Sequence, residues 1–146
     1  MPASAESLEL VHAAAAAAAE KLAHNVVAVD VSDRLALTDA FVVASAPNDR
    51  QVGAIVEAVE EALRAKGVKP ARREGSGKNR WVLLDFIDIV VHVLHNEERD
   101  FYGFERLWRD CPLIPLGDDV VARIEATSDD SDAGNDLEST ARILGA

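Results

Sequence analysis

Three aspartates, Asp39, Asp85 and Asp88, have the side chains needed to hold a pair of magnesium ions for phosphoryl transfer. Enzymes that move nucleotides this way combine a Gly-Ser with an Asp-x-Asp pair. This chain has Ser45-Ala46 instead, with no Asp-x-Asp near it. Asp85 and Asp88 are oddly spaced, so on a continuous strand they face opposite ways. Their expected roles are in a turn and in capping. Gly75-Ser76-Gly77-Lys78 hints at a phosphate loop, but Arg72 stands where the first glycine belongs and Asn79 replaces the Ser or Thr. A strand is also expected where a helix should begin. His92 and His95 share the odd spacing, His12 and His24 are distant, and Cys111 has no companion ligands. Neither catalysis, a metal nor a cofactor is expected.

The aromatic residues point elsewhere. In Trp81–Phe86 the alternation puts Val82, Leu84 and Phe86 on one wholly apolar face. Trp81 and Leu83 then share the other face with a carboxylate, Asp85, which predicts partial exposure. A half-exposed Trp suits an interface anchor; the alternative is that the first helix or the tail covers it. Tyr102 lies about 100° around a helix from Phe101, beside Glu105, Arg106 and Arg109. It is read either as a contact or as a Tyr at the core's rim. Lys69, Arg72, Arg73, Lys78 and Arg80 flank an expected edge strand and its loop next to Trp81, as a run broken by Glu74. As a run they form a solvated face or touch an acidic partner or RNA phosphates.

Composition narrows the class. The 146 residues suit one domain with one core. The net charge is −11, and residues 118 to 146 hold eight acids against two bases, leaving −5 on the rest. That balance argues against general nucleic-acid wrapping, which needs clustered Lys and Arg. A protein partner or a local RNA contact fits better. The alanine run at 13–19 follows Glu6 and Glu9 without a Lys or Arg, so it lacks the charged start of a secretory leader. The expected compartment is the cytoplasm, which agrees with a lone cysteine.

The elements that must position these residues follow from periodicity. Ser4 caps a helix reaching about His24, with Leu8, Val11, Ala15, Ala18 and Leu22 on one face. Strands are predicted at Val26–Val31 and Ala40–Ser45, the second covered on both faces. Asn48 and Gln51 form a capping box for a helix with Val52, Ile55, Val56, Val59 and Leu63 buried, ended by Gly67. Residues 68–73 read as an edge strand because of Pro70. Trp81–Phe86 and Ile89–Leu94 form a hairpin whose turn holds an unsuited Ile87. Asn96 caps a last helix that buries Phe101, Phe104 and Trp108 on one face. Residues 109–117 run over the surface, and the acidic tail 118–146 is expected to be disordered and dispensable for docking, with a weak helix at 137–144. The order α-β-β-α-β-β-β-α predicts an α/β (α+β) domain, residues 1–117, with one mixed sheet of about five strands under packed helices.

The segments Asp30–Ser45, Asn48–Gln51 and Arg80–Trp108 closely resemble the ribosomal silencing factors of the Iojap type, over roughly residues 8 to 117. The resemblance implies a sheet related in topology to nucleotidyltransferases, without their enzyme function. It implies binding to the large ribosomal subunit through its fourteenth ribosomal protein, steric obstruction of subunit joining and repressed translation under nutrient limitation. It also implies a homodimer when free and a minor contact with ribosomal RNA. Trp81 and Tyr102 become partner contacts, accompanied by Leu83, Asp85, Glu105, Arg80 and Arg73. Asp39, Arg50, Asp88 and His92 match recurrent structural positions of the family, with Asp39 and Arg50 pairing across the strand-to-helix junction. The rival readings are a diverged nucleotidyltransferase and an adaptor for a non-ribosomal partner.

Overall fold

The computed structural model describes residues 2–75, 80–103, 106 and 108–131, with the side chains of 101, 102 and 128–131 outside that description. Five strands form one sheet in the order β1-β2-β5-β4-β3. They are β1 (His24–Asp30), β2 (Ala40–Ala46), β3 (Arg72–Gly75), β4 (Trp81–Asp85) and β5 (Ile89–His95). The β2–β5 pair is parallel and the other pairs are antiparallel, so the sheet is mixed, as expected. Every residue of β2 and β5 is buried, as befits central strands covered on both faces. No helix among the described residues is long and apolar enough to cross a membrane.

Helices α1 (Ala5–Glu20) and α2 (Asp49–Ala65) cover one face. Val42, Ala44, Val82, Leu84, Phe86, Val91 and Val93 meet Val11, Ala14, Ala18, Val52, Ile55 and Val59 in the main core. The alanines of α1 give high helix propensity and let its axis lie close to the sheet. Ser4 caps α1 by accepting from Ser7 N–H at 3.1 Å. The helix stops at Glu20, earlier than its apolar spacing predicts. Leu22 takes φ +62° and is 55% exposed, and His24 already belongs to β1.

Polar side chains fix the junctions. Asp39 Oδ2 accepts from Ser4 N–H at 3.1 Å and from the Ser7 hydroxyl at 2.7 Å. Its carboxyl is held below its ordinary range first by the Ser4 N–H, then by Ser7. Asp39 is therefore spent on the start of α1 and does not pair with Arg50, which is exposed in the first turn of α2. Asn48 caps α2 by accepting from Gln51 N–H at 2.9 Å. The reciprocal half of the expected capping box is absent: the Gln51 amide donates instead to Lys21 O and Leu22 O, both at 3.0 Å. The cap of α3 (Asn96–Tyr102) is His95, not Asn96: its Nδ1 accepts from Glu97 N–H at 3.1 Å. Asn96 faces His24, with Nδ2 and Nδ1 3.0 Å apart. Arg99 is 3% exposed and donates to Asn25 O at 2.6 Å and to Ser45 Oγ at 3.2 Å. It thereby ties α3 to the bulged start of β1, where Asn25 takes φ +50°.

Two expectations about the C-terminal third are corrected. Residues 112–114 do not merely cross the surface. Ile114 N–H donates to Ala28 O at 2.8 Å and Asp30 N–H to Pro112 O at 2.8 Å, so this stretch pairs with the edge of β1. Residues 118–131 form helix α4, and its Ile124 is 5% exposed in the main core. The acidic composition disguised the apolar set Val120, Val121 and Ile124 on one side of that helix. The helix proposed at 137–144 lies outside the described residues.

The β4–β5 turn stores strain. Ile87 has φ +75°, a conformation hostile to β-branched residues. Asp85 Oδ1 supports it by accepting Ile87 N–H at 2.8 Å, and Asp88 N–H donates to Phe86 O at 3.0 Å. Because Ile87 is 55% exposed, Ile87→Gly should relieve the strain with little loss of packing. An increase in unfolding free energy of about 1 kcal/mol is expected in urea, and a decrease would contradict the strain. Ile124→Ala should lower it by about 2–3 kcal/mol if α4 is docked as described, whereas a change under about 0.5 kcal/mol would mean that it is not.

Candidate protein-binding face

The second face of the sheet is unevenly covered. Val27, Val29, Val31, Phe41, Val43, Val90 and Leu94 form a smaller core there, joined by half-buried Leu35, Trp108 and Cys111. Among the described residues this cover thins toward β4, where Trp81 and Leu83 pack against its margin. Trp81, Leu83 and Asp85 are half-buried, while the alternate residues Val82 and Leu84 are buried against the helices. The face assignment made from alternation therefore holds. In antiparallel register Arg72 stands opposite Asp85 and Glu74 opposite Leu83. Arg72 lies 3.7 Å from Asp85 Oδ2 and 3.5 Å from Glu74 Oε1. The result is an apolar row, Trp81 and Leu83, edged by exposed charges of both signs. Gly75 lets β3 come this close: a Cβ on it would lie 2.8 Å from Trp81 O.

Trp81 is not a loose side chain. Its indole N–H donates to His92 Nδ1 at 3.2 Å. His92 stands opposite Leu83 on β5, diagonal to Trp81, a neighbour within reach of long side chains. The imidazole meets Phe41 edge-on at 5.0 Å, and Phe41 meets Trp108 edge-on at 4.8 Å. The sequence reading placed His92 only as a structural position. A same-face diagonal from a Trp to a His was the available signal, but it required the register.

The other sequence-selected residues separate. Arg80 precedes Trp81 and bonds Glu98 Oε1 through Nη2 at 2.8 Å and Nε at 3.0 Å, so it steadies the first turn of α3. Those hydrogen bonds hold its guanidinium above its ordinary pKa. Arg73 is opposite Leu84 and donates to Glu60 Oε1 of α2 at 2.8 Å, on the helix-covered side away from Trp81. Asp88 is exposed at the turn, where its carbonyl accepts Asp39 N–H at 2.8 Å. Tyr102 is the last residue of α3, and its side chain, with all of Glu105, lies outside the described residues. Helix α3 ends at Gly103 with φ +56°, so Trp108 does not continue that helix as its i+7 spacing suggested. Phe104 lies outside the described residues, as does the Phe101 side chain. Among the described residues no three His, Cys, Asp or Glu gather as metal ligands, and Asp39 and Asp85 are engaged in the turns just described.

Burial pushes His92 down to about 4 from an ordinary 6.5. The folded imidazole therefore stays neutral while the unfolded one gains a proton below pH 6.5. Its stabilising contribution is complete above that pH and is lost as pH falls toward 4, by up to roughly 3 kcal/mol. Urea unfolding of wild type should weaken between pH 6.5 and 4, and His92→Asn should flatten the dependence. Equal slopes for the two proteins would sink this attribution.

Residues 4–142 match the family model described as "Ribosomal silencing factor during starvation". The ribosomal silencing factor of Bacillus subtilis strain 168 is 38% identical over 103 residues, covering 70% of this chain and 87% of that protein. Its Halalkalibacterium halodurans counterpart is 36% identical over 108 residues, covering 74% and 92%. A crystal structure of a Chromobacterium violaceum protein superposes with a TM-score of 0.67 at 33% identity, over 69% of this chain and 84% of that one. The extent of the family match and the level of identity agree with the shared mixed sheet: this chain belongs to the family of ribosomal silencing factors.

Proposed function

We propose that this protein binds the large ribosomal subunit through its fourteenth ribosomal protein and obstructs joining of the small subunit. Translation would then be repressed without any chemical step, when nutrients are limiting and in the cytoplasm. The observation that carries this reading is the half-open row of Trp81, Leu83 and Asp85 on a sheet face whose other half is covered. A row of this kind supplies what a modest interface needs: an aromatic anchor, an apolar neighbour and a charged rim. The requirement on affinity is also modest, because the effect is occupancy of space. Arg72 and Lys69 could add a minor contact with ribosomal RNA phosphates. When free, two copies would pair, and the exposed edge of β3 is the backbone such pairing would protect.

The test is sedimentation of the tagged protein with large subunits, small subunits and joined ribosomes. Wild type should travel with free large subunits only. Trp81→Ala should weaken that binding by about thirtyfold, in line with loss of a Trp anchor, and adding Tyr102→Ala should weaken it further. Co-sedimentation with small subunits alone, or with none of the three, would overturn the proposal.

A further inference from the structure

His92 is buried, yet it touches Trp81, one of the two aromatic side chains expected to contact a partner. Three observations define its position. Its Nδ1 accepts the Trp81 indole N–H at 3.2 Å. Its ring is wedged edge-on against Phe41 at 5.0 Å. Phe41 is in turn braced by Trp108 at 4.8 Å. Trp81 pairs across the ladder with Leu94, but its indole reaches along β5 to His92. The hydrogen bond thus selects which way the indole lies over the sheet. A surface Trp without such a bond samples several rotamers and loses that freedom on binding, which weakens association.

We propose that His92 is a positioning residue for the binding face: it fixes the Trp81 indole in the orientation the partner receives. The claim rests on the large-subunit reading above. It concerns preorganisation of the anchor, since His92 itself is 6% exposed and offers little surface to a partner. The neutral tautomer required has Nδ1 as acceptor and the proton on Nε2. Any side chain presenting an acceptor at the Nδ1 position should substitute in part. An Asn carbonyl comes close to that position, and a Phe ring fills the space without an acceptor.

The experiment combines a double-mutant cycle with a direct probe of the indole. His92→Phe and His92→Asn are made in wild type and in Trp81→Phe, which keeps an aromatic ring and removes the N–H. Binding to purified large subunits and the hydrogen exchange of the Trp81 indole N–H, assigned with Trp108→Phe, are measured. In wild type, His92→Phe should speed the exchange and weaken binding about fivefold to tenfold, as loss of one hydrogen bond does. His92→Asn should recover most of both. In Trp81→Phe, His92→Phe should change binding by less than about twofold, because the bond it removes no longer exists. Equal weakening in both backgrounds would show a general structural role and overturn the proposal. So would unchanged indole exchange in His92→Phe. If wild type does not bind large subunits, the large-subunit reading fails by itself. The exchange measurement still decides whether His92 holds Trp81.

Discussion

The parallel pairing of β2 with β5 is the constraint from which the rest of the molecule follows. Both strands lie at the centre of the sheet and are buried along their whole length, so both faces of the sheet must be covered above them. On one side α1 and α2 do this fully. On the other, among the described residues, Leu35, Trp108 and Cys111 pack against Val27, Val29, Phe41, Val90 and Leu94. That cover is enough for β1, β2 and β5, and it thins toward β4. Among the described residues, Trp81, Leu83 and Asp85 are left half-buried on that face. The proposed binding face lies where these strands are less completely covered than at the centre of the sheet.

Polar residues near this face serve position more than reaction. Asp39 holds the start of α1 through Ser4 and Ser7, Asp85 supports the strained turn at Ile87, Arg80 steadies α3 through Glu98, and Arg99 joins α3 to β1. Asp30 belongs to the same set. Burial opposes its ionisation, but hydrogen bonds from Ser32 and Ala3 outweigh that and keep its carboxyl below the ordinary value. Each of these groups is placed at a junction between elements. Among the described residues, no three His, Cys, Asp or Glu gather where they could hold a metal ion.

Alternation and capping made much of this legible from the chain alone. Four of the five strands, the burial of Val82, Leu84 and Phe86, and the caps at Ser4 and Asn48 follow from local rules that tertiary packing did not override, whereas β3 begins at Arg72, after Pro70, and not at residue 68. What was not legible depended on register or on partners distant in sequence. Arg73 and Arg72 are neighbours in a basic run, but one strand position sends them to opposite faces, Arg73 to Glu60 and Arg72 toward Asp85. The family resemblance paired Asp39 with Arg50, and Asp39 bonds Ser4 and Ser7 instead. Helix α4 was hidden by its charge: net acidity dominated the reading of a segment that needs only Ile124 and its neighbours to dock against β1 and α1.

A face that receives a protein partner by shape requires an anchor with a defined geometry more than it requires a reactive group. The Trp81 indole is oriented by its hydrogen bond to His92, whose ring packs on Phe41, which Trp108 braces in turn. His92 illustrates why burial of a titratable group suits this task. Kept neutral by its surroundings, it accepts the indole N–H across the physiological range, where an exposed histidine would be partly protonated and would lose its acceptor. The same burial that lowers its pKa lets Phe41 and Trp108 fix the imidazole plane. Orientation of the anchor is thus inherited from the packing of the central strands, which links the most buried part of the fold to its most exposed aromatic face.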